Sequence, residues 1–192
     1  MIDFLIRSDH ELFLLLNRHH TAFFDFVFLW CSSRVLWIPF YAFILYMLYR
    51  SNPKVIAPLL ISVGLLILFS DQISVMLFKN IFHRLRPCHR AELNNLIHVV
   101  GGCGGEYGFI SSHAANSAAL TTFLILSFGK EFPWFRIALP LWAFILCYSR
   151  VYCGVHFPGD VVAGAIVGCV LAFPLYLMYR ALTHSQFFST KN

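Results

Sequence analysis

The sequence predicts an all-α protein, a polytopic membrane bundle of about six transmembrane helices preceded by an N-terminal interfacial helix. Three observations support this prediction. Hydrophobic residues make up 59% of the 192 residues and charged residues only 12%, whereas soluble domains contain about 25% charged residues. Long uncharged runs recur along the chain, and most charges cluster between these runs. The composition therefore excludes a soluble domain, and the formal charge of +5 indicates basic membrane loops and no nucleic-acid partner.

The helices follow in order from the N-terminus, and the length predicts one domain over residues 1–192. Phe4 to Leu16 interleaves Leu and Phe with charged residues, which is typical of an amphipathic helix at a membrane surface. Residues 21–33 are apolar except for Asp25, so whether they span the membrane is left open. Five further runs carry no charge and approach the roughly 20 residues of a membrane span once their flanks are included. These runs are Val35 to Tyr49, Val55 to Ser70, Ser111 to Gly129, Ile137 to Ser149 and Val161 to Tyr179.

The basic residues between the runs predict the orientation, because cytoplasmic loops retain Lys and Arg. If the runs alternate in direction, one surface receives Arg50, Lys54, Lys130, Arg136, Arg180 and Lys191, and this surface is cytoplasmic. The opposite surface, periplasmic in a bacterial inner membrane, receives the long loop Asn80 to Ile110 and the short connection Val151 to Phe157.

The predicted periplasmic surface also collects the residues that bear chemistry. Three cations, two histidines and a carboxylate meet there, together with the N-termini of two helices, which favour anions. These residues are Lys79, Arg86, Arg150, His113, His156 and Asp160, with Ser111 and Ser112 beside His113. A tetrahedral phosphate fits this set best, because guanidinium groups bind its oxygens in pairs and Lys adds a point charge.

Three spaced motifs contain these residues in order: Lys79-x6-Arg86-Pro87, Ser111-Ser112-His113 and Ser149-Arg150-x5-His156-x3-Asp160. The pattern closely resembles the three-part signature of the type 2 phosphatidic acid phosphatase (PAP2) superfamily, whose membrane members remove phosphate from lipids. The resemblance covers residues 79–160. The middle motif of that family is usually Pro-Ser-Gly-His, and here Ile110 and Ser112 stand in place of the Pro and the Gly.

The resemblance implies a role for each matching residue. His156 is expected to be the nucleophile that attacks phosphorus and forms a phosphohistidine, and Asp160 is expected to orient it. His113 is expected to protonate the leaving oxygen and then to activate water. The substrate-binding residues implied are Lys79, Arg86, Arg150, Ser111 and Ser112. No metal or other cofactor is expected.

The resemblance also suggests the substrate class, a membrane lipid phosphate. The short length favours an envelope lipid by analogy, either a lipid A phosphate or undecaprenyl diphosphate, and the alternatives are phosphatidylglycerol phosphate and phosphatidic acid. Two other classes compete with a phosphatase. A proton-coupled transporter is disfavoured because the charges gather at one surface and do not line the midplane. A catalytically weak lipid-binding relative is left open by Ile110 and Ser112.

Three further features stay open at this stage. Cys88 and Cys103 both fall in the long outer loop, where an oxidising periplasm permits a disulfide without requiring one. Arg84 is either a lipid head-group contact or part of the site. Asp71 lies inside a predicted span; we interpret it as a hydrogen-bond partner of polar residues such as Asn116, with proton handling as the alternative.

Overall fold

A computed structural model describes the backbone of residues 2–189, and this part of the chain folds into helices joined by short connections and one long loop. The main helices are α1 (Ile2–Asn17), α2 (Ala22–Cys31), α3 (Ile38–Ser51), α4 (Ile56–Ile73), α5 (Ser112–Phe128), α6 (Phe135–Tyr152) and α7 (Pro158–Ser189). A π-helical segment (Ser74–Lys79) and a last turn (Asn80–Phe82) extend α4. Within the described residues the β-structure is one isolated bridge, between Leu85 and Tyr107. The all-α prediction is confirmed. Lys191, which was assigned to the cytoplasmic surface, lies outside the described residues.

Helices occupy all six predicted apolar runs, but they differ in length. In the described part of the chain, the stretches Pro53–Phe82 and Pro158–Thr183 are each long and apolar enough to cross a membrane alone. The stretches Ala22–Cys31 and Val35–Ser51 pass the same test only as a pair, and they are bent by 70° at the break between them. The first two predicted spans can therefore form one broken span. Helices α5 and α6 are shorter, at 17 and 18 residues.

Helix α5 lies at the centre of the bundle, and two glycines of α7 allow close packing against it. A Cβ atom at Gly164 would lie 2.6 Å from the carbonyl oxygen of Ser111, and one at Gly168 would overlap the carbonyl of Ala115. Two small residues four positions apart are typical of such a helix-packing face. The close approach brings the N-terminus of α5 beside that of α7, where the Ser111 amide donates to the Asp160 carbonyl at 3.0 Å.

The long outer loop is fixed at several points. A disulfide joins Cys88 to Cys103, whose Cα atoms lie 5.9 Å apart. Asn17, the last residue of α1, is 1% exposed and donates to the carbonyls of His98 (2.9 Å) and Tyr152 (2.8 Å). The loop is thereby attached both to α1 and to the end of α6, so it forms a defined wall above the helix ends.

Candidate active site

His156 and Asp160 form the centre of the site, at the junction of α6 and α7. Pro158 begins α7, which places Asp160 in the first helical turn, one turn after His156. His156 Nδ1 lies 3.6 Å from Asp160 Oδ2, slightly beyond hydrogen-bond distance. His156 is 1% exposed and Asp160 is fully buried. Burial lowers the pKa of His156 to about 4, against the opposing effect of the Asp160 carboxylate, so the imidazole is neutral at pH 7.

Asp160 accepts two hydrogen bonds and lies close to Gly108 on a third side. Its Oδ2 accepts from the Phe157 amide at 3.0 Å, and its Oδ1 accepts from Arg84 Nη1 at 2.6 Å. Gly108 leaves room on the third side, because a Cβ atom there would lie 3.1 Å from Asp160 Oδ2 and 3.1 Å from Arg86 Cγ. Arg84, which the sequence left undecided, therefore contacts the carboxylate of the central pair.

Arg84 has a second carboxylate partner on α1. Its Nη2 donates to Asp9 Oδ2 at 2.6 Å, and Asp9 Oδ1 accepts from the Gly159 amide at 2.7 Å. Asp9 thus contacts both the arginine that binds Asp160 and the backbone beside Asp160, and the sequence had not identified it. The N-terminal amides of α7 favour this carboxylate.

Phe157, the residue that follows His156, packs against α1. The His10 ring stacks on Phe157 with centroids 4.6 Å apart, and the Phe13 ring meets it edge-on at 5.2 Å. The Arg84 guanidinium lies 4.4 Å from the centroid of the same ring, within cation–π range. Helix α1, predicted as an interfacial helix, is therefore also a support for the site.

Three cations lie near the His156–Asp160 pair without carboxylate partners of their own. Lys79, Arg86 and Arg150 form no ion pair among the residues that the structure describes, although they lie close enough to interact electrostatically with one another. Arg86 and Arg150 also act electrostatically on His156. Together with Arg84, Asp9 and Asp160, these cations leave an excess of two positive charges, which matches a phosphate monoester dianion in size and sign.

Two polar side chains at this site contain buried atoms without partners among the described residues. The hydroxyl of Ser111 is fully buried and has no partner in the described part of the chain, and neither has the buried Nε of Arg150. Buried polar atoms of this kind require a ligand, ion or water. Both residues were predicted to bind substrate.

Ser112 and His113 begin α5 beside this cluster. Lys79 Nζ donates to Ser112 Oγ at 2.9 Å, and Ser74 Oγ lies 2.7 Å from the same hydroxyl. Ser112, which stands where the related motif has Gly, thus ties the π-helical segment of α4 to the start of α5. His113 lies close enough to Arg150 and His156 to interact with both electrostatically.

The disulfide loop holds Arg86. Its Nη1 donates to the Cys103 carbonyl at 2.9 Å, and its Nε donates to the Tyr107 carbonyl at 3.3 Å. Because Cys88 lies two residues after Arg86 and is bonded to Cys103, the crosslink fixes both the arginine and its acceptor.

The structure therefore brings together all eight residues proposed from the sequence for catalysis and binding, and it adds Arg84 and Asp9. A signal for Asp9 existed, because it lies four residues before the buried Phe13 and so on the same face of α1. Asp71 accepts from Asn116 Nδ2 at 3.2 Å, as the hydrogen-bonding interpretation predicted. In the described region no three His, Cys, Asp or Glu residues are grouped so that they could hold a metal ion.

The chain is similar to known proteins in both sequence and structure. A family model described as the PAP2 superfamily matches residues 56–184. The chain is 39% identical over 186 residues to a lipid A 4'-phosphatase of Bacteroides thetaiotaomicron, covering 95% of this chain and 82% of that protein. It is 31% identical over 182 residues to a lipid A 4'-phosphatase of Porphyromonas gingivalis, covering 93% and 75%. The crystal structure of Aquifex aeolicus LpxE is similar with a TM-score of 0.61 and 25% identity, covering 86% of this chain and 92% of that one.

Proposed function

Because the chain belongs to the PAP2 superfamily, we propose that it removes a phosphate group from lipid A through a phosphohistidine formed on His156. The protein is a membrane lipid phosphate phosphatase. The observation that carries the mechanism is the excess of two positive charges around a buried, neutral imidazole.

In the first step, the phosphate binds between Lys79, Arg86 and Arg150, and the Ser111 hydroxyl donates to one of its oxygens. Asp160 faces Nδ1 of His156 and favours the tautomer that has its proton there, so the lone pair of Nε2 is free. That lone pair forms the N–P bond while the bond between phosphorus and the lipid oxygen breaks. The bound dianion favours the protonated form of His113, which gives its proton to the leaving oxygen.

In the second step, the now neutral His113 takes a proton from a water molecule as the water oxygen attacks phosphorus. The N–P bond breaks, its electron pair returns to His156, and inorganic phosphate leaves. The three cations and Ser111 stabilise the charge on the equatorial oxygens in both steps.

The substrate proposal rests on the two relatives, both named as lipid A 4'-phosphatases. Undecaprenyl diphosphate, phosphatidylglycerol phosphate and phosphatidic acid are the competing substrates. The side of the membrane is proposed from the Cys88–Cys103 disulfide, because such bonds persist in an oxidising periplasm and are rare in the cytosol.

The decisive experiment measures phosphate release by the purified protein in detergent from these four lipids in parallel. We expect the highest kcat/KM for lipid A and continued activity in EDTA. His156→Ala is expected to abolish release, whereas the matched variant His19→Ala, at an exposed position outside the site, is expected to retain it. Near-wild-type turnover by His156→Ala would overturn the assignment of the nucleophile, and a strict Mg²⁺ requirement would indicate a different mechanism.

The side of the membrane is tested separately by labelling free thiols in intact cells and then identifying labelled cysteines by mass spectrometry. We expect Cys88 and Cys103 to stay unlabelled until a reductant is added. Finding both thiols free in cells handled without reductant would contradict the periplasmic placement.

A further inference from the structure

A cavity of about 290 Å³ lies beside His113, and Arg34 and Ser112 also line it. Its walls come from the α2–α3 connection and from α3, α4, α5 and α6, and include Trp37, Asp71, Asn116 and Trp142. None of Lys79, Arg86 and Arg150 lines it. Because His113 is the proposed proton donor to the leaving oxygen, a cavity next to His113 is where the leaving part of the substrate has to lie.

The walls of this cavity contain polar atoms that the protein does not satisfy. Asn116 uses Nδ2 to bind Asp71, and its Oδ1 is buried without a partner in the described part of the chain. Trp142 is 4% exposed, and its indole N–H likewise has no partner among the described residues. Two buried orphan groups of opposite kind, an acceptor and a donor, indicate a ligand that offers both donors and acceptors. The Asp71 carboxylate adds further acceptor capacity.

Aromatic rings complete the cavity. Trp142 meets Trp37 edge-on with centroids 6.1 Å apart, and it meets Tyr41 edge-on at 5.8 Å. These contacts fix the orientation of three rings around one chamber. Ring faces carry negative charge density and attract C–H groups, while hydroxyls need fixed polar partners. A sugar ring offers both kinds of group, whereas a polyprenyl leaving group offers neither hydroxyls nor amides beyond its phosphate.

A second, apolar cavity of about 330 Å³ adjoins the first. The two share Tyr41, Ile67 and Leu120, and the second continues between α3, α4 and α5 along aliphatic side chains such as Leu48 and Leu124. The path from His113 therefore changes from polar and aromatic to purely apolar. This sequence matches a molecule whose phosphate is attached to a polar ring and whose ring carries hydrocarbon chains.

We propose that the chamber formed by Asp71, Asn116, Trp142, Trp37 and Tyr41 is a subsite for the acylated sugar ring that carries the scissile phosphate. The proposal rests on the phosphatase function and names the part of the substrate that determines specificity. Asp71 and Asn116 accept from ring hydroxyls or an amide N–H, the Trp142 indole donates to a ring oxygen substituent, and the acyl chains enter the apolar cavity.

The test compares two substrates that share a phosphate monoester and two acyl chains but differ in the ring: a diacylated glucosamine phosphate and phosphatidic acid. Trp142→Phe removes the indole N–H while keeping an aromatic ring, and Asp71→Asn keeps the side-chain shape. We expect each variant to lower kcat/KM about tenfold for the sugar phosphate and less than about twofold for phosphatidic acid. Trp134→Phe, a partly buried tryptophan outside the chamber, is the matched control and should change neither value.

Equal losses on both substrates would overturn the subsite, because a merely structural role would affect every substrate alike. A wild-type enzyme that hydrolyses phosphatidic acid through His156 but ignores the sugar phosphate would also overturn it while leaving the phosphatase function standing. If neither lipid loses phosphate, the phosphatase function itself fails. The affinity of His156→Ala for the diacylated glucosamine phosphate then decides on the subsite alone: weaker binding after Trp142→Phe supports it, and unchanged binding refutes it.

Discussion

Replacing Asp9 tests whether α1 positions the His156–Asp160 pair. In Asp9→Ala, Arg84 loses one of its two carboxylates and the Gly159 amide loses its acceptor. Arg84 is then balanced by Asp160 alone, so we expect the Asp160 carboxylate to shift toward Arg84 and away from His156. The residue touches no reacting atom, and its effect is therefore one of position.

The magnitude follows from the two bonds. Charge-assisted hydrogen bonds contribute about 1.5–3 kcal/mol each when buried, and partial exposure of Asp9 (14%) and Arg84 (19%) lowers this figure. We expect Asp9→Ala to lower the free energy of unfolding by about 2 kcal/mol. Since a displacement of about 1 Å at a reacting group costs up to 10²-fold in rate, kcat should fall about 10- to 100-fold. KM should change less than about threefold, because the cations proposed to bind phosphate are untouched.

The assay measures kcat and KM for phosphate release together with the thermal midpoint in detergent. Asp9→Asn should be intermediate, because an amide has one acceptor oxygen and can serve Arg84 or Gly159 but not both. Asp9→Glu, which keeps two acceptors, should recover part of the loss. Glu11→Gln removes an exposed charge from the same helix and should behave as wild type. Wild-type kcat in a folded Asp9→Ala protein would refute the positioning role of α1.

Three further predictions concern the same site. Replacing Cys88 and Cys103 together by Ser should raise KM several-fold with a smaller change in kcat, because Arg86 loses its fixed acceptor. The control is Cys169→Ser, which removes an exposed free thiol. Equal KM values in the double variant and the control would contradict this prediction. Ser111→Ala should lower kcat/KM about tenfold without lowering the thermal midpoint, since its buried hydroxyl has no partner within the described chain. A clear loss of stability in that variant would instead indicate a structural role. Because the pKa of His156 is lowered to about 4 in the folded state, the unfolded state takes up the extra proton below about pH 6.5, so the thermal midpoint should fall as the pH drops from 7 toward 4.5. His156→Asn should show a smaller fall, and an identical pH dependence in both proteins would refute the burial effect.

The clustering of the eight proposed residues could be predicted from the sequence, because spaced motifs at helix ends constrain geometry strongly. Alternation of the helices was enough to bring Lys79, His113 and His156 to one surface. The spacing of Gly164 and Gly168 is equally visible in the sequence, since two small residues four positions apart lie on one side of a helix. Such features depend on local spacing, which a single sequence displays directly.

The contacts of Asp9 and Arg84 were beyond such reasoning. Their partners lie 75 and 76 positions apart along the chain, and helical periodicity does not distinguish a charge that faces water from one that faces a distant arginine. The chamber beside His113 was equally hidden, because its walls come from five parts of the chain. The bend of 70° between α2 and α3 also has no clear signal in the hydropathy, because both segments are apolar.

The bond between Asp9 and the Gly159 amide joins residues 150 positions apart, and this has a consequence for biosynthesis. The ribosome synthesises α1 first, whereas the Gly159 amide follows only after six of the seven main helices. The contact between α1 and α7 can therefore form only near the end of synthesis. Contacts of such long range also slow folding, because a large loop must close before they form. Residues 1–55 lie outside the family match, so a protein trimmed to that match would keep His156 and Asp160 but lack the Asp9 carboxylate that contacts Arg84 and Gly159.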